Sequence, residues 1–453
     1  MHWVSNFGTV ETFRLLCSGM CGFVPACKTE WLRTMTSIGS FPRLTRRELT
    51  FGFLLAGVSA ASSQSLIGGQ AEWRQSYDAV TSLSVARSST SVLSPMTTAA
   101  TEQMIEKYRQ IVAQGGWPAM PRVTLRLGQK GPAVVALRKR LVASGDLDPT
   151  AGASPVFDSF VEAAVKHFQE RHGLIPTGVL TAQTVAAMNI PADVRLRQLE
   201  TNLVRLRSYG NLGHRFVVAN IPAATVETVE NGVVATRHAA GVGKSDRQSP
   251  IMTTRVVDIN FNPFWTVPAS IIRKDLIPKM QADPNYLTEN KIRIYNQQGQ
   301  ELQPRQINWR SDEATRYMFR QDPGGDFNSL GVVRINIPNP YGVYMHDTPS
   351  KGIFGDDFRF VSSGCMRVQN VRDYITWLLK DTPGWDRQRI DEAIQSGNRV
   401  DARLAQPVPV YWVYITAWAT PDGLVQFRDD IYQKDGLGPV PVASMAVSND
   451  DVQ

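Results

Sequence analysis

Apolar positions recur at two periods along this chain, three to four residues apart in one half and two apart in the other. Val134, Leu137 and Leu141, then Ala163, Ala164 and Phe168, fall at helical spacing and predict two amphipathic helices within residues 123–190. Residues 101–120 also read as helix up to Gly115-Gly116-Trp117-Pro118, where a helix must stop. From about residue 214 the period shortens to β-rich runs: Phe216 to Ile221, Val226 to Glu230, Val233 to His238, Thr254 to Phe261 and Val332 to Ile337. Asn231-Gly232, between two of these runs, is a hairpin signal. Val371, Tyr374, Ile375, Leu378 and Leu379 return to helical spacing behind Asn370, a candidate N-cap, and the run stops at Thr382-Pro383-Gly384. Toward the end, Val410-x-Trp412-x-Tyr414 and Leu424 to Ile431 predict two strands joined by Thr420-Pro421-Asp422-Gly423, a hairpin able to extend the preceding sheet.

Residues 264–330 break the strand rhythm with Pro268, Pro278, a Gln- and Asn-rich stretch and Asp322-Pro323-Gly324-Gly325. An insertion of this size inside a compact β domain is expected to be a lid or binding element. Trp265, Trp309, Tyr317 and Phe319 are candidates to line it, although aromatic side chains more often pack a core. The expected fold class is α+β and multidomain, a mostly-β domain with a lid insertion plus a small helical domain.

The N-terminus changes the picture of where this chain works. Thr45-Arg46-Arg47-Glu48-Leu49-Thr50 carries a twin arginine, and Phe51 to Ala61 is a short apolar run ending in small residues, so residues 1–61 read as an N-terminal extension with a twin-arginine or Sec-type signal. The run is too short to span a membrane, so membrane contact is expected only through an uncleaved signal, and the location expected is the periplasm or cell envelope. Met35 is an alternative start. Residues 62–100, rich in Ser, Thr and Ala, predict a flexible lead-in, and 101–122 a helical scaffold segment. The formal net charge is +7; six Lys or Arg and three Asp or Glu precede residue 62, leaving +4 on the remainder. That suits the neighbourhood of an anionic polymer, and no nucleic-acid partner is expected.

Of four cysteines, Cys17, Cys21 and Cys27 fall in the extension, without a histidine or fourth cysteine at metal-binding spacing. Cys365 therefore stands alone, in Ser362-Ser363-Gly364-Cys365-Met366-Arg367, nineteen residues after His346. Small residues before the thiol and Met-Arg after it describe a turn rather than a core strand, which points to a nucleophile. A thiol needs a base and hydrogen-bond donors aimed at the oxygen that gains charge, and Ser363 and Gly364 let backbone N–H groups approach that oxygen. Tyr344 and His346 alternate onto one face of a strand-like run. Arg367, two residues past the thiol, is a candidate to hold a substrate carboxylate through forked hydrogen bonds. Gly241-x-Gly243-Lys244 lacks the spacing of a phosphate loop, and His167 and His172 read as surface or packing residues. No cofactor or metal site emerges.

Two resemblances organise these readings. Gly128-x2-Gly131-x2-Val134-x2-Leu137, Ala164-Val165-x2-Phe168-Gln169 and Gly173-Leu174-x3-Gly178-x2-Thr181-x2-Thr184 resemble the three-helix peptidoglycan-binding module found beside many wall enzymes. His346-Asp347-Thr348-Pro349-Ser350-Lys351 with Ser362-Ser363-Gly364-Cys365-Met366-Arg367-Val368 closely resembles the signature of L,D-transpeptidases with a YkuD-type catalytic domain, and Asn262-Pro263-x-Trp265-x-Val267-Pro268-x-Ser270-Ile271 adds a second matching block. Many members of that family carry a histidine where this chain has Ser363, so the role of base falls to His346.

The resemblance implies a cysteine acyltransferase. His346 would deprotonate Cys365, the thiolate would attack the carbonyl between the diamino acid and D-alanine of a tetrapeptide stem, and a side-chain amine from a second stem would open the thioester to a 3→3 cross-link. Ser363, Gly364 and Cys365 would hold the oxyanion through backbone N–H groups. Arg367, Tyr344, Asp347 and Trp265 would contact substrate or steady the imidazole. The partners implied are peptidoglycan stem peptides and glycan strands, with carbapenem inhibition through Cys365. The same residues could serve an L,D-carboxypeptidase or endopeptidase if water reached the thioester, and a non-catalytic wall-binding protein is the other alternative. The domain layout expected is the helical module at 123–190, the catalytic domain at 214–404 with its lid at 264–330, C-terminal strands at 405–435 and a mobile tail at 436–453.

Overall fold

The computed structural model describes residues 88–151 and 153–438. The extension and signal read at 1–61, and residues 439–453 of the tail, lie outside the described residues. Among the described residues no helix is long and apolar enough to cross a membrane.

The β-rich half is a closed sheet. Strands β1 (Arg215–Asn220), β2 (Thr225–Glu230), β3 (Val233–Gly243), β4 (Met252–Phe261), β9 (Val333–Asn336), β10 (Met345–His346), β12 (Met366–Val368) and β13 (Val400–Val413) run in the spatial order β3, β12, β10, β9, β4, β13, β1, β2. β2 pairs back onto β3 to close the ring, and β11 (Phe360–Ser362) adds to the outer length of β3. The β2–β3 turn is Asn231-Gly232, both at positive φ, which matches the right-handed twist of a hairpin. Inside lie Val217, Val226, Val256, Ile259, Val333, Ile335, Met345 and Met366. The helix Val371–Leu379 buries Tyr374, Ile375, Leu378 and Leu379 against them. Asn370 is not a side-chain cap: it adopts φ +48 and makes no side-chain bond to the helix, a left-handed bend that asparagine tolerates.

The lid has a sheet and core of its own. β5 (Trp265–Thr266), β8 (Met318–Gln321), β6 (Ile292–Tyr295) and β7 (Glu301–Leu302) form four strands in that order, and Val267, Leu276, Leu287, Ile294 and Phe319 fill the space between them and a helical run from Ala269 to Ala282. That run contains a π turn at Ile272–Leu276.

The helical module consists of Pro132–Ser144, Ser159–Arg171 and Ala182–Met188, the last two capped by Asp158 and Thr181. Its core uses Val134, Leu137, Leu141, Ala164 and Phe168, with Val161 and Val165 in place of Ala163, which is exposed.

Three boundaries move. Residues 88–100 are not a flexible lead-in: Thr90 bridges to Val233, Val92 and Leu93 are buried, and the first helix runs Pro95–Ala113 behind a Ser94 cap. β13 crosses residue 404 and pairs with both β1 and β4, so the sheet does not end there. The closing hairpin, β14 (Ala417–Ala419) with β15 (Val425–Phe427), does not extend that sheet; it forms a separate pair packed on the helices Pro95–Ala113 and Ala192–Ser208. The second of those helices was unanticipated, and its buried Gln198 and Asn202 bond to Thr416 as the chain leaves β13.

Candidate active site

β10 and β12 lie side by side in parallel, with Met345 opposite Met366 and His346 opposite Arg367. Both methionines are fully buried in the sheet's core. Alternation therefore throws Tyr344, His346, Cys365 and Arg367 onto the other face, where all four line one cavity of about 380 Å³. Adjacent strands sit about 4.8 Å apart and diagonal neighbours roughly 7 Å, a separation that the side chains of Cys365 and His346 can bridge.

The imidazole is oriented by its own neighbour. His346 Nδ1 donates to the backbone carbonyl of Asp347 at 2.5 Å, which leaves Nε2 as the basic nitrogen. Burial, and after it the positive charge of Arg367, hold the His346 pKa down to about 3. Burial pushes the half-buried Cys365 thiol up to about 11, while Tyr344 and the cations Arg334 and Arg367 pull the other way. The resting pair is thus a thiol and a neutral imidazole, not a preformed thiolate and imidazolium.

The loop that carries Cys365 is braced from inside. Ser362 Oγ accepts from the Gly364 N–H at 3.1 Å and donates to the Cys365 carbonyl at 2.6 Å, and Ser249 Oγ donates to the Gly364 carbonyl at 2.9 Å. Gly364 at φ +112 makes this reversal between β11 and β12, in a region that side chains avoid. Its N–H is consumed within the loop, so the expectation that it faces an oxyanion does not hold. The N–H groups of Ser363 and Cys365 have no backbone partner among the described residues and remain as donors.

The other expected residues divide. Trp265 and Tyr344 both line the cavity, Tyr344 on the stretch that leads into β10. Ser363 lines it too, and its Oγ accepts from Arg247 at 2.9 Å. Asp347 does not reach the cavity: its carboxylate accepts from the Val332 N–H at 3.1 Å and from Lys351, pressed against Gly331. Its part is played by its backbone carbonyl. Of the four aromatic residues expected to line the lid, Trp265 faces the cavity, joined there by Tyr286 and Phe327, while Phe319 is the lid core, with Trp309 and Tyr317 packed on it. Gly241 and Gly243 serve close approach, since a Cβ on Gly243 would lie 2.3 Å from the Arg247 carbonyl. His172 stacks on Phe168, and His167 bonds to Asp146. Among the described residues no group of histidine, cysteine and acidic side chains is placed to hold a metal ion.

Sequence reasoning missed Arg334 and Arg247. Arg334 lies between buried Val333 and Ile335 on β9, opposite His346, with its guanidinium 4.5 Å from the centre of the Tyr344 ring. The same alternation that placed Tyr344 could have found it. Arg247 grips Asp275 of the lid at 2.6 and 3.1 Å while holding Ser363, a convergence of three distant segments with no local signal.

Comparison with known proteins finds two family models that match this chain. Residues 214–387 match the family model described as the L,D-transpeptidase catalytic domain, YkuD, and residues 130–188 match the one described as "Putative peptidoglycan binding domain". A curated Haemophilus influenzae protein described as "Putative L,D-transpeptidase" is 34% identical over 240 residues, 53% of this chain and 48% of that protein. The chain thus spans about half the length of the curated relative it matches. Among solved structures, an L,D-transpeptidase from Mycobacterium smegmatis is 17% identical with TM-score 0.22, covering 44% of this chain and 58% of that one. The LD transpeptidase LdtMt1 in complex with imipenem is 15% identical with TM-score 0.21, covering 44% and 59%. Residues 214–387 thus match the model of the YkuD L,D-transpeptidase catalytic domain, and residues 130–188, earlier in the chain, match that of a peptidoglycan-binding domain.

Proposed function

We propose that this protein is a periplasmic L,D-transpeptidase that forms 3→3 peptidoglycan cross-links through a thioester on Cys365. The observation that carries the reading is the placement of His346 on β10 and of Cys365, directly before the adjacent parallel β12, on one cavity wall, with the imidazole's Nδ1 proton tied to the Asp347 carbonyl. Nε2 of His346 takes the thiol proton as Cys365 Sγ attacks the carbonyl between the diamino acid and D-alanine. The N–H groups of Ser363 and Cys365 receive the oxyanion, where one lost donor typically costs on the order of 10²- to 10³-fold in rate. The tetrahedral intermediate collapses, the C–N bond breaks, and Nε2 returns the proton to the departing D-alanine amine. The acceptor's side-chain amine then repeats the sequence in reverse on the thioester, and the thiol is restored.

Substrate itself assists the first proton transfer. Arg367 is the charge that, after burial, most disfavours protonation of His346. A substrate carboxylate seated on Arg367 neutralises that charge and raises the basicity of the imidazole when the reaction needs it.

Mass spectrometry of purified protein incubated with disaccharide tetrapeptide tests the reading. The expected products are the cross-linked dimer and free D-alanine, both absent with Cys365→Ala. Tripeptide without dimer would instead assign an L,D-carboxypeptidase, and unchanged substrate would refute the reading. A carbapenem is expected to leave one covalent adduct on the wild type and none on the Cys365→Ala variant.

A further inference from the structure

The cavity around Cys365 is unevenly charged. Four cations reach its wall, Lys244 just past β3, Arg247 before β4, Lys279 on the lid and Arg367 on β12, against a single carboxylate, Asp275. Asp275 is already committed, since both of its oxygens accept from Arg247. Lys244, Lys279 and Arg367 form no ion pair among the described residues. Lys279 Nζ donates to the Tyr286 hydroxyl at 2.8 Å and lies 4.6 Å from the centre of that ring, neither of which cancels its charge. Arg367 is half-buried with an Nε that finds no acceptor. A guanidinium drawn from water without a counter-ion is costly, and an arriving anion offsets that cost.

The three cations also surround the reacting atoms. Arg367 shares the wall with Cys365, and Lys244 is anchored to the nucleophile loop by its N–H on the Ser362 carbonyl at 3.0 Å. Lys279 faces them from the lid's helical run. All three are hydrogen-bond donors without acceptor capacity. They can meet a carboxylate oxygen, whereas the NH₂ of an amidated carboxyl would present donors to donors.

We propose that this cavity selects donor stems by their free carboxylates, with Arg367 taking the terminal D-alanine carboxylate and Lys244 and Lys279 taking carboxyls further back along the stem. The inference rests on the transpeptidase reading and names the substrate class within it: a peptide donor with at least two free carboxylates close to the scissile bond. Amidation of the upstream carboxyls removes an attraction and leaves two ammonium groups facing an N–H donor, which is selection by an unsatisfied contact.

The test compares a tetrapeptide donor with free carboxyls against the same donor with its upstream carboxyls amidated, using wild type and the double variant Lys244→Gln/Lys279→Gln. Both lysines are exposed, so the variant is expected to fold. Wild type should favour the free donor by about 30-fold in kcat/KM, mostly through KM, and the double variant by about threefold. Lys244→Arg/Lys279→Arg should keep most of the preference, and high salt should shrink it. Equal use of both donors by wild type, or a double variant that keeps the full gap, overturns the proposal alone. A wild type that consumes neither donor overturns the transpeptidase reading and this one with it.

Discussion

The barrel and the lid face each other across one cavity and are held by different physics. On the barrel side His346 and Arg367 sit in strands paired on both edges, Cys365 directly precedes one of those strands, and their neighbours Met345 and Met366 are locked into the largest apolar core among the described residues. On the lid side the cavity wall belongs to a small sheet and helix with a separate core. A polar clasp, Asp275 to Arg247 to Ser363, connects that wall to the nucleophile loop. Chemistry is therefore placed where geometry cannot relax, and substrate recognition where an element can shift as a unit.

Removing the nucleophile separates chemistry from support most sharply. Cys365→Ala should lose cross-linking by on the order of 10⁴-fold or more with an unchanged unfolding midpoint, read by product analysis and thermal melting. Strain behind the imidazole comes next. At Gly331, φ is +58 and a Cβ would lie 2.3 Å from Asp347 Oδ2, so Gly331→Ala should destabilise the barrel by about 2 kcal/mol and, by moving the carbonyl that orients His346, lower kcat at least about tenfold. Denaturant titration and steady-state kinetics read the two effects.

Acid should weaken the barrel before the lid. Burial lowers the pKa of His238 to about 4 and, with Arg367, that of His346 to about 3, and the lid contains no histidine. Both imidazoles titrate below their unfolded value, so the unfolded chain binds more protons as pH falls below that value, and folded stability declines with it. From pH 7 to 5 the loss is on the order of 2 kcal/mol for each buried imidazole. A melting series over pH 5 to 8 should show this slope, and His238→Gln should flatten it. The smallest effect expected is at the clasp. Asp275→Asn should raise KM about fivefold and leave kcat within twofold, because this part-buried ion pair joins the lid to the Cys365 loop without touching the reacting atoms. A fall in kcat equal to that of Gly331→Ala would erase the distinction between the two walls.

Much of the site was legible along the chain because it depends on local periodicity. Tyr344 and His346 alternate, Cys365 and Arg367 alternate, and a lone thiol between small residues and a strand has few structural explanations. The same period would have placed Arg334 beside them. The helix Ala192–Ser208 was legible too, in Leu196, Leu199, Leu203 and Leu206, but lay between two better-marked regions. The hairpin Ala417–Phe427 was recognisable as a hairpin, yet its alternation could not say which surface it would cover, and helices far upstream in the chain claimed it.

By itself, then, the order of residues determined which segments alternate, which coil, and which side chains share a face, since these follow from backbone geometry over a few neighbours. Only the folded chain decided that Gly364 spends its N–H on Ser362, that Asp347 acts through its carbonyl, and that Arg247 joins the lid to the nucleophile loop. Each of those outcomes is a competition among donors and acceptors brought together from separate segments, and the winner depends on distances that no local pattern contains.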